Sequence, residues 1–99
     1  MQELEPVICT LDAAAHTDQS ARWMELIRRA ATARDATADG VRLVFQHDAE
    51  VELELRALVA VEQDCCRWAT WTISREDEGI TLHIASAGDG VAAIQAMLA

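Results

Sequence analysis

The chain has 99 residues, a formal net charge of −9, and arginine as its only strongly basic residue type. This charge repels phosphate backbones and anionic lipid surfaces, so binding to nucleic acid or to a membrane is not expected. The length suits one domain with one core, and no apolar run is long enough to span a membrane. We therefore expect a single cytoplasmic domain over residues 1–99. Its three cysteines are expected to be reduced thiols.

The first half of the chain shows a strand pattern, a long helical pattern and a second strand pattern. Alternating apolar residues in "VICTL" predict a strand over residues 7–11, with Cys9 on its inward face. Helical periodicity around Trp23 then predicts a helix from about residue 12 to residue 35. The segment "TADG" breaks this helix, and "VRLVFQ" predicts the next strand.

The second half predicts a helix, a β-hairpin and a short final helix. Asp48 is the expected N-cap of the helix, which runs from about residue 49 to residue 67. "ATWTIS" and "ITLHIA", separated by the polar "REDEG", predict the hairpin, and "VAAIQAMLA" predicts the last helix. The element order is β-α-β-α-β-β-α, and each strand has one apolar face. We expect an α+β two-layer sandwich with a four-stranded, mostly antiparallel sheet and helices on one face. The bare, polar face would be the contact surface of a homodimer.

One residue of the second helix departs from its amphipathic pattern. With about 100° between successive residues, Glu62 falls in the middle of the apolar stripe with Leu55, Leu58 and Val59. A buried unpaired carboxylate costs several kcal/mol, so a partner must compensate it. The candidates are an arginine of the first helix, backbone donors, a raised pKa, or a metal ion shared with nearby thiols.

The thiols nearest to this carboxylate in sequence are Cys65 and Cys66, three and four residues further on. Cys9 would join them if its strand runs under the end of the second helix. Neighbouring helical residues point about 100° apart, which suits a dedicated tetrahedral zinc site poorly. A soft ion that accepts two or three thiolates, such as Hg(II) or Cu(I), fits better. The candidate metal ligands are Cys9, Glu62, Cys65 and Cys66.

Other interpretations of these residues remain open. Reduced cysteines also pack as small core residues, and thiol redox chemistry is a further alternative. A disulfide between the adjacent cysteines would be strained inside a helix, which disfavours redox chemistry. We interpret His16, His47 and His83 as surface residues, and Trp68 and Trp71 as core residues that shield the thiols.

A resemblance adds to the metal hypothesis. The runs "ICTL", "GVRLVF", "LVAVEQDCCRWATWTI", "GITLHI" and "GDG" resemble a small family of uncharacterised bacterial proteins, common in actinobacteria. That family carries a Glu-x-x-Cys-Cys-Pro-Phe-type motif and is similar to domains found with metal-responsive regulators or mercury-handling proteins. Arg67 and Trp68 replace the usual proline and phenylalanine, so the end of the helix is less sharply defined here. The resemblance implies a role in heavy-metal response.

The leading hypothesis is a binder of a thiophilic metal or metalloid ion. An enzymatic variant, protonolysis of a carbon–metal bond with Glu62 or Asp64 as the proton donor, would use the same residues and is the minor hypothesis. The alternative from another class is a non-catalytic interaction or dimerisation module, in which the cysteines are only core residues.

Overall fold

The computed structural model describes residues 13–65, 67–76 and 79–98, without the side chains of Ala13, His16 and Cys65. The described elements are α1 (Ala13–Ala30), β1 (Ala31–Ala36), β2 (Gly40–Phe45), α2 (Ala49–Cys65), β3 (Thr70–Glu76), β4 (Gly79–Ala85) and α3 (Asp89–Leu98). The described strands form one four-stranded sheet in the order β1-β2-β4-β3, and every neighbouring pair is antiparallel. The predicted α+β class and antiparallel sheet are confirmed.

The core lies between one face of the sheet and the helices. Alternation in β2 and β4 turns their aliphatic side chains and Phe45 toward the helices, as the period of a strand requires. The helices contribute apolar stripes at helical spacing, which is why each packs on this face. The buried core residues from the helices are Trp23, Leu26, Ile27, Ala30, Val51, Leu55, Leu58, Val59, Ile94 and Leu98.

The element order differs from the prediction in the region after α1. The predicted helix to residue 35 is wrong, because α1 ends at Ala30 and residues Ala31–Ala36 form the edge strand β1. Its side chains are mostly exposed, so it carries no alternating apolar pattern that would distinguish it from a helix. Its hydrogen bonds to β2 override the helix propensity of its alanines. The strand predicted over residues 7–11 lies outside the described residues.

The second helix begins and ends close to its predicted positions. Oδ1 of Asp48 accepts hydrogen bonds from the backbone N–H groups of Glu50, at 2.8 Å, and Val51, at 3.2 Å. The predicted N-cap is therefore confirmed. The helix ends at Cys65, two residues before the predicted end.

The connection from β2 through α2 to β3 determines where the end of α2 lies. β4 pairs with both β2 and β3, so those two strands are parallel and α2 returns the chain between them. The register aligns Thr70 with Ala85, and Ala85 with Gly40. The end of α2 therefore meets the start of β3, the start of β2 and the end of β4 at one end of the sheet.

The outer face of the sheet carries mostly polar side chains. One row across it, read from the register, contains Asp35, Arg42, His83 and Thr72. Val44, which pairs with Thr81 on the same face, is buried rather than exposed. None of the described helices has the length and apolar character needed to cross a membrane.

Candidate functional site

Glu62 is buried, with 5% of its surface exposed, and it faces α1. Its Oε2 atom accepts a hydrogen bond from Nε2 of Gln19 at 2.7 Å and another from Nε1 of Trp23 at 3.0 Å. Gln19 Nε2 also donates to the carbonyl oxygen of Leu58, at 3.1 Å, one turn earlier in α2. This network joins the two helices through a carboxylate that both sequence and structure place among apolar side chains.

The helical period explains why Gln19 and Trp23 lie on the same face of α1. Gln19 lies four residues before Trp23, and both belong to the stripe that continues through Leu26, Ile27 and Ala30. Gln19 is buried although it is polar, because its side chain satisfies the carboxylate and a backbone carbonyl of α2. Gln19 of α1 and Glu62 of α2 are thus polar residues on the apolar stripes of their helices, and they meet.

An arginine of α1 was one predicted partner of Glu62, but the described ion pairs of these arginines go to other carboxylates. Arg22 lies 3.3 Å from Asp18, and Arg28 lies 2.6 Å from Glu25. Arg29 forms an ion pair with Glu54 of α2. The described hydrogen bonds to Glu62 come from neutral donors, which satisfy lone pairs of the carboxylate without carrying a compensating charge.

A stacked pair of tryptophan rings adjoins this network. The rings of Trp23 and Trp71 stack with centroids 5.9 Å apart and an interplanar angle of 29°. Trp71 is buried, as predicted, and its indole N–H has no hydrogen-bond partner among the described residues. Trp68 is half-buried and packs against the core, and the Ser86 hydroxyl donates to its carbonyl oxygen at 2.7 Å. The indole ring of Trp23 on α1 therefore connects Glu62, near the end of α2, to Trp71 on β3.

The structure describes some of the predicted metal ligands and not others. Glu62 is fully described, and Cys65 is the last residue of α2, three residues after it. Cys9 and Cys66 lie outside the described residues. Within the part of the chain that the structure describes, no group of three or more His, Cys, Asp or Glu side chains is arranged to hold a metal ion. Asp64, the other carboxylate considered as a proton donor, is exposed.

Two of the three histidines lie away from this site. His47 is exposed and follows the end of β2, at the opposite end of that strand from Gly40. His83 faces the outer side of the sheet, where its Nε2 lies 3.3 Å from Oδ1 of Asp39. His16 belongs to α1, one helical turn before Gln19.

Sequence reasoning identified Glu62 but not its partners. The available signal was Gln19, a polar residue in line with the apolar stripe of its helix, just as Glu62 is in α2. Two such departures on helices that pack together predict a buried polar pair.

No family model matches the chain, and no curated protein or solved structure is significantly similar to it. The resemblance to the Glu-x-x-Cys-Cys family therefore stays a prediction.

Proposed function

We propose that the protein binds a thiophilic metal or metalloid ion through the thiolates of Cys65, Cys66 and Cys9, with Glu62 beside them. The observation that carries this proposal is the buried Glu62 carboxylate, held by Gln19 and Trp23 one turn before the paired cysteines. Retaining a carboxylate in a core costs free energy, and a cation bound next to it would offset part of that cost.

The chain path allows Cys9 to reach this end of the molecule. Gln19 contacts Glu62 near the end of α2, whereas Arg29 contacts Glu54 nearer its start, so α1 and α2 are antiparallel. The start of α1 at Ala13 is therefore on the same side as the end of α2. Cys9 precedes Ala13 by four positions, a span of at most about 14 Å in an extended chain. This short span supports a site in which thiolates from both segments share one ion.

The chemistry of the site favours soft ions. Thiolates select Hg(II), Cu(I) and similar ions over hard cations, and the ion deprotonates the thiols that bind it. The buried, stacked rings of Trp23 and Trp71 lie on the Glu62 side of this site and would limit the access of water there. Reduced thiols persist in the cytoplasm, which is the compartment we propose for this activity.

A titration with a competing thiol tests the proposal. The reduced full-length chain is titrated with Hg(II) in excess monothiol while thiolate-to-metal absorption is followed. We expect one ion to be retained per chain, because several thiolates chelate it, whereas a lone cysteine would lose it to the competitor. The single variants Cys9→Ser, Cys65→Ser and Cys66→Ser each weaken retention by roughly tenfold or more.

Two carboxylate variants distinguish a local role of Glu62 in metal binding from the effect of the overall negative charge of the protein. Glu62→Gln weakens retention by about 10–100-fold, the usual effect of losing a group that supports the ligands. Glu50→Gln, on an exposed residue in the first turn of α2, removes the same charge far from the site and leaves retention unchanged. Failure of the wild-type chain to retain an ion, or unchanged retention in all three cysteine variants, would overturn the proposal.

A second candidate function is a homodimer formed through the outer face of the sheet. The observation that favours it is that all the described helices pack on the opposite face. The outer row from Asp35 through Arg42 and His83 carries both signs of charge, so two copies related by a two-fold axis could pair acid with base. This candidate requires that the protein forms a dimer in solution, which sedimentation velocity measures.

A further inference from the structure

The second helix, α2, carries apolar residues on two opposite sides. With about 100° between successive residues and Leu53 at zero, Ala57 and Ala60 lie within about 40° and Val61 at about 80°. Glu62, which faces the core, lies about 180° away. All four residues on the side of Leu53 are exposed, Leu53 by 72% and Val61 by 38%. We call Leu53, Ala57, Ala60 and Val61 the solvent-facing stripe of α2.

The solvent-facing stripe departs from the usual pattern of a surface helix. Such a helix normally turns one apolar side toward the core and a polar side toward water. Single exposed apolar residues are common and need no explanation. Here Leu53 and Val61 are joined by two alanines into one strip that extends about 12 Å along the helix. Connected apolar surface of this kind is typical of sites where a partner binds.

Acidic side chains border the solvent-facing stripe at both ends. Glu50 lies about 60° from Leu53 in the first turn of α2, and Asp64 lies about 20° from Leu53 near the end of the helix. Both carboxylates are exposed, and neither forms an ion pair in the part of the chain that the structure describes. Arg56 also borders the stripe, but Nε and Nη2 of its guanidinium each lie 2.9 Å from Oε2 of Glu52.

These charges indicate which kind of partner fits. Two copies of the chain, each with a net charge of −9, would bring their exposed carboxylates together across the stripe. A helix with lysine or arginine beside its own apolar side would instead place basic groups near Glu50 and Asp64 while its apolar side chains cover Leu53. We propose that the solvent-facing stripe of α2 binds a basic amphipathic helix of a partner protein.

The dimensions of the stripe agree with a helical partner. Ala57 and Ala60, between the larger side chains, leave a gap into which a leucine of the partner can pack. Glu50 and Asp64 are about 21 Å apart along the axis of α2, the length of about four helical turns. A contact between two such helices is small, so we expect a transient complex with a Kd of about 1–100 μM.

A designed peptide serves as the probe. The full-length chain is titrated into a fluorescently labelled helical peptide of about 14 residues, with leucines on one side and lysines on the other, while anisotropy is followed. A second peptide has glutamate in place of every lysine. We expect the lysine peptide to bind in the micromolar range, and the glutamate peptide to bind at least about tenfold more weakly.

A matched pair of variants tests where the apolar contact lies. Leu53→Gln and Met24→Gln each remove one exposed apolar side chain, the first from α2 and the second from α1. We expect Leu53→Gln to weaken binding of the lysine peptide by about tenfold, and Met24→Gln to stay within about twofold of wild type. Circular dichroism and the melting temperature establish that each variant is folded.

A second pair tests the charges. Glu50→Gln combined with Asp64→Asn should weaken binding of the lysine peptide by about fivefold or more at low salt. Asp35→Asn combined with Glu76→Gln removes the same two charges from the outer face of the sheet, and we expect it to stay within about twofold of wild type.

Three results would contradict the inference. Equal binding by the Leu53→Gln and Met24→Gln chains would mean that net charge alone attracts the peptide. A Kd above about 1 mM for the lysine peptide and the wild-type chain would mean that the stripe binds no such helix. A wild-type dimer that Leu53→Gln dissociates, measured by sedimentation velocity, would assign the stripe to a second copy of the chain.

Discussion

At the scale of single residues, the contacts of Glu62 define what this carboxylate does in the fold. The indole N–H of Trp23 can only donate, so Oε2 of Glu62 acts as an acceptor. A hydrogen bond to a charged group contributes about 1.5–3 kcal/mol, and removing one partner leaves the other buried and unsatisfied. Gln19 and Trp23 therefore fix the carboxylate in place.

The stacked tryptophan pair offers a matched test of the hydrogen bond from Trp23 to Glu62. Trp23→Phe and Trp71→Phe make the same change in buried rings that touch each other. Of the two tryptophans, Trp23 donates to Glu62, whereas the Trp71 indole N–H has no partner among the described residues. We expect Trp23→Phe to lower the free energy of unfolding by about 1.5–3 kcal/mol more than Trp71→Phe does.

Urea denaturation of both variants measures the difference. In a Glu62→Gln background the acceptor is neutral, and the excess cost of Trp23→Phe should fall to about 0.5–1.5 kcal/mol. Equal losses for the two tryptophan variants in the wild-type background would show that the hydrogen bond contributes nothing to stability.

A second buried carboxylate, Glu52, joins α2 to β3. Its Oε1 accepts from Nε and Nη2 of Arg75 at 2.8 and 2.7 Å, and its Oε2 accepts from Nε and Nη2 of Arg56, both at 2.9 Å. The hydrogen bonds from Arg75 and then Arg56 lower the pKa of Glu52 below its ordinary value of 4.5. Because the folded pKa is lower than the unfolded pKa, these ion pairs stabilise the protein above pH 4.5.

This pKa shift predicts a pH dependence of stability. We expect Glu52→Gln to be destabilising at neutral pH, and its effect to shrink as the pH falls below 4.5 and Glu52 of the wild-type protein becomes protonated. Glu50→Gln is the control, since Glu50 also lies in the first turn of α2 but forms no ion pair among the described residues. Chemical denaturation at several pH values tests this, and a Glu52→Gln effect that is constant with pH would contradict it.

At the scale of elements, the hairpin of β3 and β4 depends on a glycine. Gly79 has a φ of 147°, and a Cβ atom there would lie 2.1 Å from the carbonyl oxygen of Phe45. Both the backbone conformation and the close approach of β2 therefore exclude a side chain at this position. The sequence motif "REDEG" predicted the turn, and the contact with β2 explains why its last residue is glycine.

Gly79→Ala should therefore be strongly destabilising, by about 1–3 kcal/mol for the strained backbone and more for the displaced strand. Gly88→Asn is the comparison, because the φ of 59° at Gly88 lies in the left-handed region that asparagine adopts readily. We expect that change to cost less than about 1 kcal/mol. Thermal unfolding followed by circular dichroism distinguishes the two, and similar losses would contradict the steric argument.

The elements also show how far local patterns predict structure. β2, β3, β4 and α2 were predicted because each buries one face, which imposes a period of two or of 3.6 residues. β1 was missed because an edge strand with exposed alanine, arginine and aspartate side chains has no such period. Its conformation depends on hydrogen bonds to β2.

At the scale of the whole molecule, the net charge of −9 opposes association of two copies. If the outer face of the sheet forms a homodimer, salt should strengthen it, because screening reduces this long-range repulsion more than it reduces the short acid–base contacts across the interface. We expect the dimer fraction to rise between about 20 and 300 mM NaCl, as the screening length falls below about 10 Å. Sedimentation velocity measures the fraction.

Two variants locate the contact. Thr72→Glu adds a charge in the outer row and should dissociate the dimer, whereas Ala57→Glu adds the same charge on the exposed side of α2. Dissociation by both variants would place the contact elsewhere, and a monomer at every salt concentration would exclude this candidate.

The sequence by itself determined the α+β class, the apolar faces of β2, β4 and α2, the N-cap at Asp48, and the anomaly at Glu62. These features follow from local periodicity and from the cost of burying a charge. Only the tertiary structure decided that residues Ala31–Ala36 form a strand, and that Gln19 and Trp23 meet Glu62. The physical reason is that both outcomes depend on contacts between segments distant in the chain, about which local patterns carry little information.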